Sequence, residues 1–100
     1  MVQLVPLRVR DGMCVGVALT LPRTTLLVAV APRGYVMCGL LDVERLDELH
    51  PERGIVAARV SGVRSPEDIL VSRVDAVTAG ARALGVVEGM TGADALGLML

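Results

Sequence analysis

The sequence predicts an α+β fold: an N-terminal antiparallel β-meander of about four strands, a helical crossover to a fifth strand, and C-terminal helices packed on one face of the sheet. Three observations predict it. The first 40 residues are aliphatic, β-branched runs separated by turn residues. The pattern changes after Gly39, and the last 40 residues place a hydroxyl residue three positions before an acid three times over. A chain of 100 residues is the size of one ordinary domain. Residues 1–40 are expected to be the meander and the oligomerisation region, and 41–100 the mixed part.

Val2 to Val9 reads as the first strand, with Pro6 implying an edge position or a bulge. Asp11-Gly12 is a hairpin turn signal. Met13 to Leu21 forms the second strand, Pro22 to Thr24 the turn, and Thr25 to Ala31 the third strand. Pro32-Arg33-Gly34 makes the next turn and Tyr35 to Cys38 the fourth strand. Asp42 is placed to N-cap a short helix from Val43 to Leu49, ended by His50-Pro51. Gly54 to Val60 is a fifth strand, and the helix-bearing connection before it permits a parallel pairing with the fourth. The hydroxyl-to-acid pattern at Ser65–Asp68, Ser72–Asp75 and Thr91–Asp94 predicts helices over Pro66 to Val71, Arg73 to Leu84 and Gly92 to Leu98. Val74, Val77, Ala81 and Leu84 would form the apolar stripe of the middle helix, with Gly85 as its stop.

The second and third strands are apolar on both faces. In the second, Val15, Val17, Leu19 and Leu21 point one way, and Cys14, Gly16, Ala18 and Thr20 point the other. A sheet with one wet face alternates apolar with polar; here the alternation is large with small. Small side chains allow close approach of another layer, whether the chain's own helices or a second subunit. The helices suffice for one face, and the other is the expected subunit contact.

Composition points the same way. Apolar residues make up 53% of the chain and charged residues 21%. So small a domain strains to bury that much aliphatic surface, and association with copies of itself is the simplest remedy. The formal charge of −1 gives no field for nucleic acid or anionic lipid. Tyr35 is the only aromatic residue, so no stacking platform for bases exists. Neither nucleic acid nor a membrane is an expected partner. Pro22, Arg23, Thr24 and Thr25 cut the apolar stretch from Met13 to Ala31 into runs too short to span a bilayer. The same interruption argues against a secretory signal, as does Pro32 after the Ala29-Val30-Ala31 cleavage pattern. Cys14 and Cys38 match neither a disulfide framework nor a zinc spacing, so no metal site is expected and a reducing cytoplasm is.

Chemistry has few candidates. Cys38 would need a base or a positive field to hold a thiolate, and the only histidine, His50, has no spacing that brings it near. Packing at a strand end is the plainer role. Asp42 is a helix cap or, at a strand-to-helix turn, a functional acid. Arg59 and Arg64 flank Ser61-Gly62 just before a helix start, an arrangement that can bind an anion, although Glu67 and Asp68 occupy the same first turn. Phosphate-cradling loops and nucleophile elbows are lacking. The residues name no cofactor and no small-molecule ligand.

GYVMCGLLDV at 34–43, AARVSGVRSPEDIL at 57–70 and ALGVVEGMTGADAL at 83–96, in this order and spacing, resemble the YunC-like family, a domain of unknown function. The resemblance extends to PRTTLLVAVAPRGY at 22–35. It implies an N-terminal β-sheet region that mediates tetramerisation, and it carries over no catalytic residue. Cys38, Gly39, Asp42, Arg59, Gly62 and Arg64 lie in its most recognisable segments. Two readings follow: a self-associating module, or a small enzyme or anion/carboxylate-binding protein with a site formed by Cys38, Asp42, Arg59 and Arg64.

Overall fold

Two-residue turns fold the first part of the chain into a meander. The computed structural model describes residues 1–39, 45–46, 48 and 53–100. Strands β1 (Val2–Val9), β2 (Gly12–Leu21), β3 (Thr24–Ala31) and β4 (Gly34–Met37) are joined at Arg10-Asp11, Pro22-Arg23 and Pro32-Arg33. Pro22 presets the second turn, and Arg23 takes the left-handed position that follows it, φ 68°. Then come β5 (Ala57–Val60), α1 (Pro66–Val71), β6 (Val74–Val77), α2 (Ala79–Ala83) and α3 (Gly92–Leu98). All six strands form one sheet in chain order, antiparallel throughout except for the parallel pair β4–β5. Arg45, Leu46 and Glu48 are helical, as expected of the crossover, while Asp42 and the His50-Pro51 stop lie outside the described residues.

The helix predicted over Arg73–Leu84 is not formed. Its first half is strand β6, and only Ala79–Ala83 is helical, N-capped by Thr78. The cause is a bulge. Val60 pairs with Val74 and Arg59 with Ala76, so two residues on β5 oppose three on β6. Val74 and Val77 both reach the core at a spacing of three, which imitates a helical period. Ser72, expected to cap that helix, instead donates its hydroxyl to the Asp68 carbonyl at the end of α1. Gly85 does follow the α2 C-cap with φ 97°, the left-handed stop. The fifth strand is also shorter than expected, beginning at Ala57.

The core lies between the sheet and helices α1 and α3. Leu7, Cys14, Leu27, Ala29, Val36, Ala58 and Val60 supply the sheet side; Ile69, Ala95, Leu96 and Met99 close it from above. The small-residue face of β2 is the one covered. A Cβ added at Gly16 would lie 2.6 Å from Cβ of Pro66, so β2 and the start of α1 approach as closely as glycine allows. Gly92 likewise lets α3 meet the Ile69 carbonyl of α1, where a Cβ would collide. At the far end Arg33 donates to the carbonyls of Leu98 (2.8 Å) and Leu100 (3.2 Å), satisfying groups that α3 leaves unpaired.

Thr78 ties the late elements together. Its side chain is fully buried, accepts from the amides of Ala57 (3.1 Å) and Ala81 (3.2 Å), and donates to the Ile55 carbonyl at 2.6 Å. One hydroxyl thus caps α2 and fixes the entry to β5.

Candidate functional site

The sheet has a second face, and cross-strand register defines it. Val2 opposes Leu19, Leu4 opposes Val17, Pro6 opposes Val15 and Arg8 opposes Met13. Val15 and Val17 then face Val30 and Val28, which face Tyr35 and Met37. Directly opposed residues share a face, so these side chains form one aliphatic field across β1–β4. It is open: Leu4 is 65% exposed, Met13 55%, Val15 46% and Val30 43%.

That field ends at a polar cluster. Met37 neighbours Arg59 on β5. The Arg59 Nε donates to Asp75 Oδ1 at 2.7 Å, and the Ser61 hydroxyl donates to Asp75 Oδ2 at 2.6 Å. The same bulge that makes room for three residues of β6 places Asp75 here. Partial burial raises the Asp75 pKa, but the hydrogen bonds from Ser61 and Arg59 and the guanidinium charge outweigh it, holding the carboxyl below its ordinary value. A carboxylate so stabilised is a poor proton acceptor for Ser61. The cluster ties the end of β5 to β6.

Of the sequence candidates, the structure brings Cys38 and Arg59 to the same end of the parallel pair. A Cβ at Gly39 would be 3.6 Å from Ser61 Oγ, so the exit from β4 runs beside Ser61. Cys38 itself points to the core, buried, and its amide donates to the Leu27 carbonyl. Gly62 takes φ 75° in the exposed turn after β5. Arg64 is exposed at the start of α1, where its amide donates to Asp68 Oδ2 at 2.9 Å. An acid thus sits over the amides at which an anion was expected. Asp42 lies outside the described residues. Among the described residues no cavity encloses the cluster.

Asp75 escaped sequence reasoning because it was assigned to a capping pattern. The available signal was local: VDAV carries two β-branched residues and one acid, as a short strand with one wet position would.

Fold and surfaces together define an α+β module with one sheet face packed by its own helices and the other, among the described residues, apolar and largely exposed. The domain of unknown function DUF1805 matches residues 37–99, from the end of β4 onward, and the chain belongs to that family. The uncharacterized protein YunC of Bacillus subtilis (strain 168) is 41% identical over 96 residues, covering 96% of this chain and 95% of that protein. The crystal structure of a protein of unknown function, TA1206 from Thermoplasma acidophilum, superposes with a TM-score of 0.87 at 24% identity, over 100% of this chain and 94% of that one. It shares the fold.

Proposed function

We propose that this chain is a self-associating α+β module, a homotetramer assembled through its N-terminal β-sheet region. One observation carries the reading: among the described residues, no helix of the chain lies over the aliphatic field on β1–β4, and Leu4, Met13, Val15 and Val30 there are exposed. Strands β1 to β3 run 8 to 10 residues and β4 runs 4, so the field spans roughly 19 Å across the four strands and about 26 Å along the longer ones at the usual strand spacing and rise. In plan that is on the order of 450 Å², a little over half of the ~800 Å² per partner of a standard interface. An apolar patch of this extent is at the upper end of what a monomer exposes, where such patches are often functional. The test is light scattering of the wild type and of Val15→Lys. The reading expects four chains for the first and fewer for the second; one chain for the wild type at micromolar concentration defeats it. The cytoplasm is the proposed compartment, supported by two buried, unpaired cysteines. No described helix is long and apolar enough to cross a membrane.

A second reading, a small enzyme or anion/carboxylate-binding protein using Cys38, Asp42, Arg59 and Arg64, has one supporting observation. Cys38-Gly39 and Arg59–Ser61 leave two parallel strands at the same end, where α/β proteins commonly place ligands. Native mass spectrometry of freshly purified protein decides it, through a retained small molecule or its absence. A Cys38 thiol that reacts no faster than buried Cys14 would speak for packing.

A further inference from the structure

A sheet can associate through its face or through its edges, and the two edges here differ. The β6 edge is covered in part by the chain itself: the Val74 amide donates to the Met90 carbonyl, the Gly89 amide donates to the Val74 carbonyl, and Arg73 bridges Thr91. Among the described residues, nothing pairs with the outer edge of β1 along its eight residues, a length that invites pairing with another strand.

The polarity of that edge follows from register. The Thr20 amide donates to the Met1 carbonyl, and hydrogen-bonded pairs alternate along an antiparallel ladder. Gln3, Val5, Leu7 and Val9 therefore direct their backbone groups toward β2. Val2, Leu4, Pro6 and Arg8 direct theirs outward. Pro6 has no N–H to give, and it stands inside the row that a second strand would have to read. Arg8 adds a charge two positions on, on the open face.

The geometry points to Pro6 as an edge guard: it interrupts the one long free edge, so that copies of this chain meet face to face over β1–β4 instead of extending the sheet through β1. The face-to-face half rests on the self-association proposed above; the guard stands by itself. Restoring the donor with Pro6→Val leaves both faces of the sheet aliphatic and gives β1 an unbroken row of outward amides.

The test pairs that variant with an amide-exchange measurement on the wild type. Pro6→Val is expected to form species that grow with concentration beyond the wild-type size, with an intermolecular β-sheet infrared band. Adding Val15→Lys should leave that growth intact, since it proceeds through the edge. In the wild type, the Leu4 and Arg8 amides should exchange at least about tenfold faster than those of Val5 and Leu7. A folded Pro6→Val chain with the wild-type size at every concentration overturns the guard. Protection of Leu4 and Arg8 equal to that of Val5 and Leu7 overturns face-to-face assembly in favour of edge pairing, whether or not the variant folds. A monomeric wild type defeats the self-association reading while leaving the Pro6→Val outcome to judge the guard.

Discussion

The two faces of one sheet use the same strands and follow opposite rules. On the covered face of β2 the residues are Cys14, Gly16 and Ala18, all buried; on the open face they are Met13, Val15, Val17 and Leu19, exposed or half-buried. Intuition would bury the larger side chains. The covered face instead needs small ones because α1 lies so close that Gly16 touches Pro66. The large residues of that core come from the neighbouring strands, in Leu7, Leu27 and Val36, and from Ile69, Leu96 and Met99 above them. The open face keeps its large aliphatic groups exposed or half-buried, available to the self-association proposed above. Size alternation along β2 thus follows which face the chain's own helix α1 approaches.

The comparison breaks most sharply where substitutions on the two faces give the same result. Ile69→Ala empties a fully buried site and is expected to cost about 2–5 kcal/mol in chemical denaturation. Val15→Thr on the open face should leave the isolated chain within about 0.5 kcal/mol of wild type while weakening assembly. Comparable losses of chain stability from both would mean that the open face is part of the same core. Next in size is Thr78→Val, which leaves the amides of Ala57 and Ala81 without an acceptor and should cost about 1–3 kcal/mol. Thr78→Ser, which keeps the hydroxyl, should lose clearly less, and equal losses would mean that the methyl group matters as much as the hydroxyl.

These sites also show how far the sequence could be read. The four-strand meander, the parallel fifth strand and helices α1 and α3 follow from local signals: turn dipeptides, β-branched runs and a Thr91 cap that does accept from the Asp94 amide. The stretch from Arg73 to Leu84 was misread because a β-bulge and a helix both return apolar residues after three positions, and only the pairing partner distinguishes them. That partner, β5, is 14 residues away in sequence at Val60–Val74 and leaves no trace in a local window. The two faces of β2 were legible as large and small, but which of them the helices take depends on interlayer distance. Arg59 was singled out, while its acceptor Asp75 was assigned to a cap. Cys38 reads as a strand-end residue in both sequence and structure.

Smaller effects sharpen the picture at the rim. Asp75 has a lowered pKa in the folded chain, so its contribution is present above the unfolded value of about 4 and is lost as pH falls through the folded one. With both partners part-exposed, that contribution stays below about 1 kcal/mol. Asp75→Asn should flatten the acid limb of the stability profile by that amount; an unchanged limb would remove the ion pair from the account. The smallest effect belongs to Arg23, whose left-handed φ of 68° suits glycine better, and Arg23→Gly should stabilise by up to about 1 kcal/mol in thermal unfolding.

The central claim is that the open face of β1–β4 is where copies of this chain meet. Light scattering of the wild type beside Leu4→Lys, at matched micromolar concentrations and with folding checked by circular dichroism, tests it most directly. The account predicts a mass of four chains for the wild type and a fall toward one chain for the variant. A wild type with the mass of a single chain, or a folded variant that keeps the full assembly, would contradict it.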